Sequence, residues 1–233
     1  MTEQLPDTPG STKPAPRRSV SKAAFRRLPH YHQIVSAYEG LGRRYISSKE
    51  LSQILDINET LVRKDMADLE IRGRQNQGYA IGTMKRTIED FLGLQEITDA
   101  LIIGAGHLGK ALALYHGFEP YGLRIAGILD NDPAKIGSYV GPHEVLSVFR
   151  LASTIERKRI RLIVLTVPRP AAQEVTDIAV GAGVRAIWNF TPTELSVPEG
   201  VHVRNEQIIA GFMTLSYFLK NVTLPEDVQE AAD

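Results

Sequence analysis

The chain has no cysteine in 233 residues. That excludes disulfides, thiolate zinc centres and a cysteine nucleophile, and it is what a cytoplasmic protein is expected to show. Missing too is any apolar stretch near the roughly 20 residues that cross a bilayer. The polar, proline-rich start lacks the apolar centre of a secretory signal, so the expected location is cytoplasmic. Net charge is absent as well, with 27 Lys+Arg against 27 Asp+Glu, but the balance is not local. Residues 1–85 hold 14 cations and 9 carboxylates, and residues 86–233 hold 13 and 18. A basic first half joined to an acidic second half is consistent with a polyanion partner for the first; a solvated imbalance of no consequence is the alternative.

What is present centres on Leu101-Ile102-Ile103-Gly104-Ala105-Gly106-His107-Leu108-Gly109-Lys110-Ala111-Leu112. An apolar run enters a G-x-G-x-x-G spacing and a helix-forming segment leaves it, the order strand, tight turn, helix. Gly104 permits the turn, Gly106 leaves room for a pyrophosphate against the main chain, and Gly109 lets the helix approach the strand. Amides at the helix start then face the phosphates. A second apolar run, Ile125 to Leu129, ends in Asp130, whose carboxylate suits the ribose hydroxyls of NAD and would repel the 2′-phosphate of NADP.

Ahead of this stretch, residues 1–20 are rich in Pro, Ser, Thr and Gly and read as a disordered arm. Residues 28–41 place Leu28, Tyr31, Ile34, Val35, Tyr38 and Leu41 on one helical face, with Pro29 fitting only the first turn. Residues 45–55 read as a short helix with a Ser47/Glu50 capping box. A turn at Asp56-Ile57-Asn58 starts a second helix, with Val62, Met66 and Leu69 inward and Arg63 and Lys64 elsewhere. Two short helices around a tight turn make a helix-turn-helix, and residues 71–82 suit a wing with Arg74 at its tip. Residues 84–96 are expected to link this winged domain, 21–83, to the next.

Beyond Asp130, helix and strand alternate. A helix near 148–159, a buried run Leu162 to Val167, a helix at 171–180 and a strand from Val184 to Asn189 predict βαβ units in a parallel sheet over 97–205. The loops at Gly104, Asp130, Thr166 and Asn189 should share its C-terminal edge, where ligands bind. A last short strand at 201–203 precedes residues 206–222, a helix apolar on nearly every side, carrying Ile208 and Phe212. Such a helix must be buried, and one near a chain end often buries itself in a partner copy. Residues 223–233 form a tail. The predicted fold class is therefore α/β, a winged helix-turn-helix followed by a Rossmann-type domain and a terminal helix.

Taken together, Arg27-Leu28-Pro29-x-Tyr31, Ser47-Ser48-x-Glu50-Leu51, Val62-Arg63-Lys64-Asp65, Gly104-x-Gly106-x-Leu108-Gly109, Thr166-Val167-Pro168, Trp188-Asn189-Phe190-x-Pro192, Val197-Pro198-Glu199-Gly200 and Val203-Arg204-Asn205-Glu206 resemble the redox-sensing transcriptional repressor Rex family. The resemblance implies a homodimer whose last helix is domain-swapped into the partner subunit, a Rossmann domain for NAD(H), and release of double-stranded operator DNA when NADH binds. No reaction is implied. By the resemblance, Gly104, Ala105, Gly106, His107, Leu108 and Gly109 form the cofactor loop, with Asp130 and Asn131 at the adenosine ribose. Thr166, Val167, Pro168 and Asn189 flank the cofactor, and Tyr115 lies near the nicotinamide. Ser47, Lys49, Arg63, Lys64 and Arg74 are the candidates for DNA contact. Metal ligands and catalytic residues are expected to be absent.

The chain also departs from the family pattern. Asp68 and Glu70 add carboxylates after the Arg-Lys-Asp of the reading helix, and the wing 73–78 carries one basic residue where the family often has two. Each lost phosphate contact removes a counterion-release contribution, so weak affinity at physiological salt is expected. At the positions of an arginine and an aspartate that some members use for redox sensing stand Gln33 and Gln207. Weaker redox discrimination follows as an expectation. The alternative function is a dimeric NAD(H) sensor that has lost operator binding and regulates a protein partner. An NAD-dependent enzyme is disfavoured, because His107, His116 and His202 have no carboxylate or lysine at motif spacing and no substrate domain is expected.

Overall fold

The computed structural model describes residues 20–220, arranged in two compact units, 1–95 and 96–233 as the chain divides. The expected N-terminal arm and the tail lie outside the described residues, apart from Val20.

The first unit runs α1 (Lys22–Gly40), β1 (Tyr45–Ile46), α2 (Ser48–Leu55), α3 (Glu59–Asp68), β2 (Tyr79–Ala80) and α4 (Ile81–Leu92). Helix α1 starts six residues before the apolar stripe first read at Leu28, because Ser21 caps it by accepting the Ala24 amide and Ala24 extends its buried face. Pro29 therefore sits inside the helix and not in its first turn. It is exposed, so its ring stands outward where the missing amide is tolerated. The capping box at α2 forms as expected, with the Ser47 hydroxyl accepting from the Glu50 amide and the Glu50 carboxylate accepting from the Ser47 amide. Tyr45 and Ile46 are not part of that helix; they pair antiparallel with β2, and Ile46 is fully buried. Tyrosine and isoleucine favour the extended state, and a cap at Ser47 forbids helix before it.

The helix expected as a linker belongs to this unit's core instead. Its Ile81, Met84 and Ile88 pack with Leu28, Tyr31 and Val35 of α1 and with Val62, Met66 and Leu69 around α3. His32 is 5% exposed with Nε2 at 2.9 Å from Glu89 Oε1 on α4.

The second unit holds a seven-stranded sheet: β3 (Thr98–Ile103), β4 (Leu123–Asp130), β5 (Tyr139–Val140), β6 (His143–Ser147), β7 (Leu162–Leu165), β8 (Ala186–Asn189) and β9 (His202–Asn205), in spatial order β5-β6-β4-β3-β7-β8-β9. All neighbours are parallel except the hairpin β5-β6. Helices α5 (His107–Ala113), α6 (Leu151–Lys158) and α7 (Arg169–Gly181) connect the strands. Two apolar clusters form, one around Leu101, Ile103, Ile163 and Leu165 with α6 and α7, the other around Ala100, Ile102, Ile128 and Val164. Alternate residues of β3 thus face opposite layers, as a doubly covered strand requires. Strand order reverses at β3, between β4 and β7, which is where open α/β sheets bind ligands. Helix α8 (Ile208–Leu219) follows β9. No helix among the described residues is long and apolar enough to cross a membrane.

Candidate functional site

Ladder register brings the predicted loops together. Ile103 pairs with Leu129 on one side and Leu165 on the other, and Leu165 pairs with Asn189, so Gly104, Asp130, Thr166 and Asn189 all lie at the C-terminal edge. The three glycines do three different things. Gly104 has φ +107°, and a Cβ there would lie 2.9 Å from the Thr166 carbonyl oxygen and hydroxyl. A Cβ on Gly109 would run into the Gly104 carbonyl and stand 2.8 Å from Thr166 Oγ1. At Gly106, the N-cap of α5, a Cβ would meet nothing within 4 Å, and no side chain caps the helix. The loop is closed from beneath and open above, the shape a pyrophosphate needs against backbone amides. Thr166 ties it down, its hydroxyl donating to the Ile103 and Gly104 carbonyls at 3.0 and 2.9 Å. His107 is exposed and Leu108 half-buried at the start of α5.

Asp130 is 6% exposed. One carboxylate oxygen accepts from the Ala105 amide at 2.6 Å and from Lys135 Nζ at 3.2 Å, and the other from the Asp132 amide at 2.8 Å. Burial pushes this carboxyl up, but the Asp132 and Ala105 amides and the Lys135 ammonium outweigh it and hold it below the ordinary aspartate range. The carboxylate therefore stays charged while bracing the glycine loop at Ala105. Lys135, which sequence reasoning passed over, bridges Asp130 and Asp132; its five-residue offset from Asp130 on a turn was the available signal. Asn131 is exposed beside it.

Asn189 is fully buried and its amide is fully engaged. Nδ2 donates to the Thr193 carbonyl and Asn205 Oδ1, and Oδ1 accepts from the Thr191 amide and hydroxyl. Its side chain shapes the loop after β8 and holds β9 beside it. Val167 is half-buried and Pro168 exposed ahead of α7. Tyr115 is 58% exposed, its ring lying over Gly117 and packed edge-on against Phe118.

In the first unit, Arg63 and Lys64 are exposed near the middle of α3 while Asp65 points inward. Arg27 grips both oxygens of Asp65 at 2.7 Å, and Tyr31 donates to it at 2.9 Å. Burial, then the Asp65 carboxylate, push the Tyr31 phenol well up. This buried cluster fixes α3 to α1, which sets the outward angle of Arg63 and Lys64. The candidates differ in freedom. Lys49 and Lys64 are exposed and in no ion pair among the described residues, although the Lys49 charge helps to hold the Glu59 carboxyl down. The Ser47 hydroxyl is used up in the capping box. Arg63 is held by Glu59 on the same face, and Ser48 donates to that same Glu59 oxygen at 2.7 Å. Arg74 donates to the Tyr45 phenol at 2.6 Å and lies over its ring, at a wing whose base is set by Gly78, where a Cβ would collide with the Ile46 carbonyl. Asp68 ends α3, about a turn and more beyond Arg63, and Glu70 follows the helix cap Leu69. The carboxylate at the reading end is Glu59, an i,i+4 partner that spacing alone could have exposed.

Comparison with known proteins agrees with both units. Residues 19–67 match the family model of a putative DNA-binding protein N-terminus, and residues 95–193 that of a CoA binding domain. The redox-sensing transcriptional repressor Rex of Clostridioides difficile (strain 630) is 37% identical over 87% of this chain and 97% of its own length. That of Roseiflexus sp. (strain RS-1) is 39% identical over 84% and 89%. The chain belongs to the Rex family. Among solved structures, the Rex-family repressor RSP in complex with β-NAD⁺ and operator DNA is 34% identical with a TM-score of 0.82, over 92% of this chain and 97% of that one. RSP in complex with β-NADH gives 33% and 0.79, over 92% and 99%.

Within this Rex-family chain, Gln33 is exposed on α1 and Gln207 is the exposed residue preceding α8. Helix α8 itself is bare: Ile208 is 67% exposed, Phe212 62%, Met213 65% and Leu219 80%. The loop after β8 and the start of α8 line a cavity that includes Thr191, Pro192, Asn205, Gln207 and Ile208.

Proposed function

We propose that this chain is an NAD(H)-responsive transcriptional repressor that reads double-stranded operator DNA through its winged helix and lets go when NADH occupies the glycine cradle. The observation that carries the reading is the open space over Gly106, walled by Gly104, Gly109 and Thr166, in a chain whose first unit exposes Lys49, Arg63 and Lys64 around a helix-turn-helix. Backbone amides at the start of α5 would face the pyrophosphate, and the charged Asp130 would accept the adenosine-ribose hydroxyls. Thr166, Val167, Pro168 and Tyr115 would border the nicotinamide half, which supplies the redox difference when bound. No catalytic group acts in this reading, and the place of work is the cytoplasm.

The working unit is a homodimer. An apolar helix that leaves Ile208, Phe212, Met213, Leu215 and Leu219 more than half exposed has a large unsatisfied burial tendency, and a second copy of the same helix and unit, swapped across a two-fold axis, satisfies it. Two heads then read two half-sites of a palindrome.

A second reading is favoured by the Glu59–Arg63 pair, which neutralises a cation at the reading end of α3. There the dimeric sensor regulates a protein partner. Fluorescence anisotropy on palindromic duplexes, at low and physiological salt and with and without NADH, decides between them. Salt-sensitive binding that NADH releases is expected; no binding even at low salt would sink the repressor.

A further inference from the structure

The aromatic rings of the second unit form a line. Tyr115 meets Phe118 edge-on at 4.8 Å between centres, Phe118 meets Trp188 at 5.6 Å and 64°, and Trp188 meets Phe190 at 5.1 Å. Edge-to-face and tilted pairs at these spacings are directional, so tilting one ring forfeits contact with the next unless that ring follows. From the third ring, the indole Nε1 of Trp188 donates to Glu206 Oε1 at 3.1 Å, and the same oxygen accepts from Arg204 Nε at 3.0 Å. Glu206 lies between β9 and Gln207, and its amide donates to the Asn189 carbonyl at 2.8 Å. The line therefore runs from the loop after α5 to the root of α8, entirely inside one unit.

We infer that Trp188 and Glu206 are positioning residues that couple occupancy of the nucleotide site to the setting of α8. The inference rests on the nucleotide reading of the Gly104–Gly109 loop. Tyr115 is the ring a ligand can reach, since it is 58% exposed while Phe118 and Trp188 are half-buried. A ligand that covers Tyr115 fixes its tilt, Phe118 and the indole must adjust, and the indole adjusts only by changing its bond to Glu206. Glu206 has Asn189 and Arg204 to hold it, so the change passes to the adjoining Gln207 and the first turn of α8. Coupling of this kind is reciprocal: whatever grips α8 also sets affinity at the cradle. Simple packing of four rings in a small apolar cluster predicts no such response.

Trp188 is the only tryptophan in the chain, so its emission reports this one indole. NAD⁺ is the probe, because unlike NADH it does not absorb tryptophan emission. The full-length protein is titrated with NAD⁺ in a calorimeter and a fluorimeter side by side. Emission is expected to change by about a tenth or more along the same saturation curve as the heat. Phe118→Leu should keep the NAD⁺ Kd within about threefold of wild type and lose more than about half of the emission change. Glu206→Ala, at a side chain one-third exposed, should lose a similar share and serves the comparison if Phe118→Leu does not fold. Heat of binding with silent emission, or a full response in both variants, overturns the coupling. Absence of heat at millimolar NAD⁺ removes the nucleotide reading, and this inference with it.

Discussion

The two units make their sites from different material. The proposed nucleotide cradle is made of backbone, and its shape comes from side chains that are missing at Gly104, Gly106 and Gly109. The proposed reading head is made of charged side chains, whose effect depends on what stands beside them, as Glu59 beside Arg63 shows. A backbone site depends on the fold and changes all at once; a side-chain site can be tuned one neighbour at a time. That difference sets the size of what substitutions should do.

The largest effect belongs to Gly109→Ala. The added methyl would overlap the Gly104 carbonyl, and α5 would have to move off the sheet. Overpacking against backbone should cost about 3 kcal/mol or more, read as the midpoint of urea unfolding; an unchanged midpoint would show that the loop relaxes freely. Gly106→Val makes the contrast. Its side chain would enter open space at φ −73°, so the melting temperature should stay near wild type while NAD(H) affinity falls about a hundredfold or more, close to 3 kcal/mol. Unchanged affinity in calorimetry would refute the placement of the pyrophosphate.

On the side-chain site the effects are smaller. Glu59→Gln removes the carboxylate that holds Arg63 but keeps a polar partner for Ser48. Operator affinity should rise about three- to tenfold, and the dependence of log affinity on log salt should steepen by up to about one charge. A flat response would mean that Arg63 does not face phosphate. A comparable magnitude is expected at Gln33 and Gln207, the proposed sensor positions. Neutral Gln33 and Gln207 cannot answer the positive nicotinamide of NAD⁺ as an ion pair would, so the ratio of NADH to NAD⁺ affinity should stay below about tenfold. Calorimetry showing a much larger preference would place the discrimination elsewhere.

The same contrast governs what could be read from the chain. The cradle was legible because each glycine answers to a local backbone need, and the shared edge of Gly104, Asp130, Thr166 and Asn189 followed from strand–helix alternation. The capping box at Ser47 and Glu50 was legible for the same reason, its partners being three residues apart. Hidden were facts that depend on distant partners. Arg27 and Asp65 are 38 residues apart, and nothing local shows that they meet. The hairpin β5-β6 was missed because a two-residue strand, Gly141-Pro142 and the polar pair His143-Glu144 give no alternation to detect. The 84–96 region looked like a linker because its apolar face, Met84 and Ile88, finds its match in α1 and not nearby. Even the engaged state of Asn189 needed Thr191, Thr193 and Asn205 in place before it could be seen.

The smallest expected effect is a pH dependence at the reading head. The Ser47 backbone amide, then Arg43, hold the Glu50 carboxyl down to about 2. A carboxyl depressed in the folded state contributes stability that is complete above its unfolded pKa of about 4.3, and the contribution fades as pH falls toward 2. Glu50 is 37% exposed, so solvent screens the Arg43 pair and leaves the capping box as the main contributor, under about 1 kcal/mol. Wild type should therefore exceed Glu50→Gln in unfolding midpoint at pH 6 and lose most of that margin by pH 3. The proposed cradle offers a control in Asp130, also depressed but braced by the Ala105 amide, because protonating it, below the ordinary aspartate range, should loosen the glycine loop and lower NAD(H) affinity. A margin at Glu50→Gln that survives acid would mean that the box acts through shape alone, and the reading head would then be less tunable by charge than the comparison with the cradle requires.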